Sequence, residues 1–171
     1  MHLDQRRSNH DLYLLEGAAP EREQTLRIRF CRSASAALPP EHHRAFEDKF
    51  GIGIIETMGL TETAAPSFSN PLDAARRKHG AVGRASGCEA QVVDASFSPV
   101  PIGATGELVI RGPNVMRGYY KNPEATRASF TPDGWLRTGD LGHVDADGFF
   151  FVTGRIKELI IKGGENIAPR E

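Results

Sequence analysis

Two cysteines in 171 residues are too few for a disulfide-stapled fold, and Cys31 and Cys88 stand far apart with no second cysteine or histidine at metal-ligand spacing. They are expected to be free thiols in a reducing, cytoplasmic setting, packed as small hydrophobes. Long runs of one charge are missing too. With 25% charged residues, a net charge of -1 and no block of five like charges, nucleic acid and anionic membrane surfaces are excluded as expected partners. Long apolar runs are also lacking. The opening "MHLDQRRSNHDLYLLEG" has no signal-peptide core, and nothing approaches a membrane span. No internal repeat or low-complexity tract stands out. What the chain does have is glycine (18) and proline (11), together above the usual share of about 12%. Loops are over-supplied, and loops carry function. The expected ligand is small, and the length allows one ordinary core or pieces of two.

The pattern changes along the chain. "DLYLLEGAAPEREQ" reads as a short helix and a polar connection. "LRIRFCRSA" alternates Leu26, Ile28 and Phe30 against Arg27, Arg29 and Cys31, the period of two of a half-buried strand. "LPPEHHRAFEDKFG" is a helix: prolines lead it, Glu41 lies in its first turn, Phe46 and Phe50 share a face, and Gly51 stops it. "IGIIE" is a second strand, so this part predicts a parallel pair with a helical crossover, an α/β arrangement. A polar, Gly-rich stretch from Thr61 to Gly87 follows. Then the pattern turns all-β: "EAQVVDA", "GELVIRG" and "HVDADGFFFVTG", the last as two strands around an Asp-Gly turn. Between them "NPEATRASF" is one helix with Asn122 as N-cap and Pro123 at its first position. Residues 88 to 153 predict a small β-barrel or twisted sheet.

Four stretches place small residues, hydroxyls or acids where the backbone turns. "SASAAL", Ser33 to Leu38, lets a flat ligand approach the backbone, although tight loop packing alone explains such a run. "MGLTETA", Met58 to Ala64, ends a strand with Thr61, Glu62 and Thr63, where open α/β sheets bind ligands. A hydroxyl suits a phosphate oxygen and a carboxylate suits a hard cation such as Mg²⁺, while a plain helix start would look the same. "LRTGDLG", Leu136 to Gly142, holds Asp140 on a turn, where a carboxylate can accept from both hydroxyls of a ribose; an isolated Gly-Asp is ordinarily just a turn. "GRIKELIIKGGENIAPRE" sets Arg155 and Lys157 two apart before the strand "ELII", between glycine-containing turns, a place where a hinge can absorb backbone rotation. A solvated surface hairpin is its bland equivalent. "DADG" at Asp145 to Gly148 lacks the twelfth-position Glu of a calcium loop. His42 and His43 are adjacent on a helix and point apart, so no metal site is expected there.

Taken together and in this order, the strings resemble the adenylate-forming superfamily of acyl-CoA synthetases, peptide-synthetase adenylation domains and luciferases. "MGLTET" looks like its Tyr-Gly-x-Thr-Glu signature, "GELVIRGPNVMRGYY" like the barrel motif, "LRTGD" like the ribose-binding motif, and the final string like the domain-joining motif. The resemblance runs from Cys31 to Glu171. It implies an α/β fold made of part of the large domain (residues 1–87), a β-barrel-like subdomain (88–156), and a hinge with the start of a C-terminal domain (157–171). It also implies a two-step reaction on ATP, a small carboxylic acid and coenzyme A, with Mg²⁺. By position Thr61 would hold the α-phosphate and Glu62 the Mg²⁺. Ser35 and Ala36 would line the adenine, with Met58 and Gly59 beside it. Asp140 would bind the ribose, Arg155 the ribose or phosphate, and Lys157 would be the hinge.

Departures accompany the matches. Met58 stands where the family commonly has an aromatic residue, and Ala34 where it often has Gly. The upstream phosphate loop and the downstream catalytic lysine are not found in the chain, so the resemblance implies a fragment, inactive alone, of an acyl-CoA synthetase. "MRGYYKNPEAT" and "GGENIAPRE" suggest a coenzyme A ligase of fatty-acid type. A carrier-loading adenylation domain and a non-catalytic nucleotide-binding remnant are the alternatives. Acyl specificity and oligomeric state are not legible.

Overall fold

A computed structural model describes residues 15–18, 27–34, 38–64, 66–158, 160–162 and 165–167. In chain order its elements are β1 (Cys31–Ser33), α1 (Pro40–Phe50), β2 (Ile54–Gly59), β3 (Pro66–Ser69), β4 (Arg84–Ala85), β5 (Glu89–Val93), β6 (Gly106–Arg111), α2 (Pro123–Ala128), β7 (Leu136–Val144), β8 (Phe150–Arg155), β9 (Ile160–Lys162) and β10 (Glu165–Ile167). Three-residue 3₁₀ turns cover Thr61–Thr63, Ala74–Arg76 and Ile156–Glu158. None of the described helices is long and apolar enough to cross a membrane.

The first sheet has the order β1-β2-β3-β4. β1 and β2 run parallel with Cys31 opposite Ile54, and α1 crosses between them as the prolines and Gly51 require. Pro40 opens the helix, where a missing N–H costs nothing, and Gly51 closes it at φ 64°. Phe46 and Phe50 meet at 4.5 Å between ring centroids, and Phe46 packs into a cluster with Leu38, Ile52 and Ile54.

Two expectations fail here. The first strand is only Cys31–Ser33; Ile28 and Phe30 lie outside it and are exposed, so their alternation marks no buried face. Leu26 and nearly all of the expected helix at 11–24 lie outside the described residues. The stretch from Thr61 to Gly87 is not simply loop: β3 pairs antiparallel with β2, Met58 opposite Phe68, and β4 pairs with β3. Phe68 is fully buried, so burial of one aromatic ring outweighs the local turn signals.

The second sheet, β5-β6-β7-β8, is an antiparallel meander. Among the described residues these four strands form an open sheet. β6 is buried on both faces. Leu108 and Ile110 join Phe68, Val92 and Phe150 on one side, while Val109 meets Val93 and Trp135 on the other. Phe68 therefore carries the first sheet into the core of the second, and Phe150 bonds through its backbone to Val82 and Gly83. Asp145 closes the β7–β8 hairpin by accepting from the N–H groups of Asp147 and Phe149, each at 2.9 Å, and it pairs with Lys78. α2 starts as expected: the Asn122 side chain accepts from the Ala125 N–H at 3.0 Å.

Candidate functional site: a cleft between two sheets

A cleft of about 270 Å³ lies where the β2 end, the loop before α2 and the middle of β7 come together. Leu60 and Glu62 enter it from the first sheet, Glu107, Arg137, Thr138 and Gly139 from the second, and Ile156 and Lys157 from the turn after β8. Tyr119, Ser129 and Ala128 complete the wall beside α2.

Glu62 reaches the cleft because β2 ends in a tight turn. The Thr63 hydroxyl accepts from the Leu60 N–H at 3.0 Å and holds the Thr61–Thr63 turn closed, burying Thr63 and leaving Thr61 exposed. From the other sheet's loop, the Met116 N–H donates to the Glu62 carbonyl at 2.7 Å. The Tyr119 hydroxyl donates to the Glu62 carboxylate at 2.7 Å, and that contact holds the phenol above its usual pKa.

The opposite wall is organised by Glu107, a buried carboxylate on β6. It accepts from Arg137 at 3.0 and 3.1 Å and from the Gly139 N–H at 3.2 Å. The Thr138 hydroxyl donates to the Leu108 carbonyl at 2.8 Å and accepts from the Asp140 N–H at 3.0 Å. The segment Arg137–Asp140 is thus pinned from below. Asp140 was expected on a turn; it lies inside the nine-residue strand β7, because Thr138 and Asp140 alternate inward with Leu136 and Gly142. Register sets Asp140 opposite Arg155 on β8, and Arg155 Nε donates to Asp140 Oδ1 at 2.8 Å. The acid is buried while its partner is mostly exposed.

Of the residues singled out in the sequence, Glu62 and Lys157 line this cleft. Asp140 and Arg155 form a pair directly beside its lining residues Gly139 and Ile156. Thr61 adjoins Glu62 but is turned to solvent. Met58 packs toward the Phe68 core, with Gly59 at a register shift between β2 and β3. Ser35 and Ala36 lie outside the described residues. Lys157 sits in a 3₁₀ turn, with the next strand starting at Ile160 rather than directly after it. Glu107, Arg137 and Tyr119 were missed. Each stands in a string already singled out, but only cross-strand register and the loop path bring them to the cleft.

A second cluster lies beneath the first sheet. Ligand-type atoms of His43, Glu47 and His79 are within 4.8 Å of one another. The place of a positive centre is already taken: Arg77 Nη1 stands 2.6 Å from Glu47 Oε1, which also accepts from the Ile54 N–H at 2.8 Å. His79 Nε2 is 3.2 Å from Glu47 Oε2, and His43 sits 3.5 Å from Glu56. This is an ion network that ties α1 to β2. Burial pushes Glu47 up, but the Ile54 N–H and the His79, His43 and Arg77 contacts outweigh it, and the carboxyl ends below its ordinary range. Elsewhere, burial raises the Cys88 thiol, which donates to the Ser67 carbonyl.

Comparison with known proteins gives the family. A family model described as "AMP-binding enzyme" matches residues 8–120, and the chain belongs to that family. Its sequence is 64% identical over 159 residues to the sulfoacetate–CoA ligase of Cupriavidus necator, covering 93% of this chain and 31% of that protein. It is 43% identical over 145 residues to the oxalate–CoA ligase of Saccharomyces cerevisiae, covering 84% and 27%. In three dimensions it resembles ATP-bound MatB from Rhodopseudomonas palustris, with a TM-score of 0.87 and 38% identity over 95% of this chain and 32% of that one. The chain thus spans about a third of the length of the proteins it matches, and its α/β fold is that of part of an acyl-CoA synthetase.

Proposed function

We propose that this chain forms the nucleotide-handling part of an ATP-dependent acyl-CoA synthetase, an acid–thiol ligase of the AMP-forming type. The observation that supports this best is a cleft lined by Glu62, Lys157 and the pinned Thr138–Gly139 segment, with the Asp140–Arg155 pair next to it along the chain. In the reaction a carboxylate oxygen attacks the α-phosphorus of ATP, pyrophosphate leaves, and an acyl-adenylate forms. The thiol of coenzyme A then attacks the acyl carbonyl and AMP leaves. The relatives' names favour coenzyme A over a carrier protein as acceptor, and they favour a small acid of the sulfoacetate or oxalate kind over a fatty acid.

The first step forces two anions together, so oriented donors must be in place beforehand. Asp140 takes the ribose hydroxyls in this reading: a buried carboxylate fixed at one oxygen by Arg155 offers acceptors at a set position. Arg155, mostly exposed, remains near enough to help a phosphate or the ribose. Thr61, exposed at the strand end, supplies a hydroxyl donor toward the α-phosphate; Met58 and Gly59 are assigned to the adenine, as Ser35 and Ala36 are by the sequence resemblance alone. Glu62 fits a divalent cation such as Mg²⁺, since its hard carboxylate oxygens reach the cleft. When bound, that ion would offset phosphate charge. Lys157, in the turn leaving the second sheet, serves as the hinge. A cytoplasmic setting fits a chain with only two, widely separated cysteines.

The test is calorimetric titration of the chain with ATP and with a non-hydrolysable sulfoacetyl-adenylate mimic. Losing charge-assisted bonds of about 1.5–3 kcal/mol each should make Asp140→Ala bind at least about tenfold more weakly. Equal affinity in a variant that melts like the parent would remove Asp140 from the site.

A further inference from the structure

We infer that Tyr119 is a positioning residue that sets the Glu62 carboxylate for a divalent cation, an inference that rests on the reading of Glu62 given above. A glutamate leaving a three-residue turn has several rotamers to choose from, and holding one costs up to about 2 kcal/mol of side-chain freedom. Here two groups from the second sheet's loop restrict it. The Met116 N–H fixes the Glu62 backbone carbonyl at 2.7 Å, and the Tyr119 hydroxyl holds the carboxylate itself at 2.7 Å.

Tyr119 is in turn held. Its own N–H donates to the Thr126 hydroxyl at 2.9 Å, and Thr126 Oγ1 donates to the Asn122 carbonyl at 2.9 Å, so the ring hangs from α2. Gly118 makes this possible. It sits at φ 152°, and a Cβ there would come within 2.8 Å of Thr126 Cγ2. A line of contacts therefore runs from α2 through Thr126 and Tyr119 to one carboxylate of another sheet. A neutral donor on a metal-binding carboxylate orients it while leaving its second oxygen to the ion, the usual work of outer-shell partners. Tyr119 also lines the cleft, so direct contact with the nucleotide is the competing role.

The two roles separate in a metal-dependence experiment. ATP affinity of the full chain is measured by calorimetry with Mn²⁺ and with EDTA, for the parent, Tyr119→Phe, Glu62→Gln and the double variant. The expected result is that in Tyr119→Phe the gain from Mn²⁺ falls roughly tenfold, well beyond any loss of metal-free affinity. Glu62→Gln should remove that gain, and adding Tyr119→Phe to it should change nothing more. Thr126→Val, which loosens the anchor without touching the phenol, should shift the gain in the same direction by less. Equal weakening with and without Mn²⁺, or a further loss in the double variant, overturns the positioning role and leaves Glu62's role standing. A full Mn²⁺ gain in Glu62→Gln, or none in the parent, overturns the metal reading of Glu62 and this inference with it.

Discussion

The two sheets are held together by opposite means. Beneath the first, α1 is tied to β2 by charge: Glu47 takes Arg77, His79 and the Ile54 N–H, and His43 stands between Glu47 and Glu56. The second is built on Leu108, Val109 and Ile110 of β6, packed on both faces, and its two buried acids, Glu107 and Asp140, are paired with arginines of the adjoining strands. Apolar burial is additive and non-directional, whereas a buried ion network is worth its keep only while every partner is present. Substitution, acid and salt should therefore distinguish the halves.

The largest expected effect is in the second sheet. Leu108→Ala opens a cavity at a fully buried site and should cost about 2–5 kcal/mol in urea unfolding, with little salt dependence. Next, Arg77→Met in the first sheet should cost about 2–3 kcal/mol, below the fully buried limit because Glu47 is partly exposed. If Arg77→Met proves neutral, the network does not hold α1 and the contrast collapses.

Acid should sharpen the same contrast. Glu47 is depressed in the folded state, so its contribution is complete above the ordinary carboxylate value near 4.5 and disappears as pH falls through the lower folded value. Glu47→Gln should lower stability at pH 7 and flatten the loss below about pH 4, read from melting temperature against pH. A smaller effect is expected at α2, where Asn122→Ala removes one cap and should cost about 1 kcal/mol. Smallest of all, Cys88 should react with a thiol reagent at pH 8 more slowly than an unstructured peptide thiol, since burial raises it.

Legibility followed the locality of the interactions. α1 and α2 were readable because their prolines, Asn122 and Gly51 act within a few residues of the elements they bound. The β7–β8 hairpin was readable for the same reason, with its Asp-Gly turn. β3 and β4 were hidden because Phe68 answers to a core built from residues 92, 108, 110 and 150, not to its neighbours. In the site, Glu62, Asp140, Arg155 and Lys157 stood out through resemblance, while Glu107 and Arg137 looked like ordinary strand residues. What distinguishes that pair is a pairing across β6 and β7.

The harness on Glu62 has one more consequence. The carboxylate is borrowed by one sheet and steered by another, from 57 positions further along the chain. Transplanting the Thr61–Thr63 turn onto a foreign scaffold would carry the acid without its reins. Lengthening the Gly112–Lys121 loop by a single residue would retune the cleft while leaving every signature motif spelled as before.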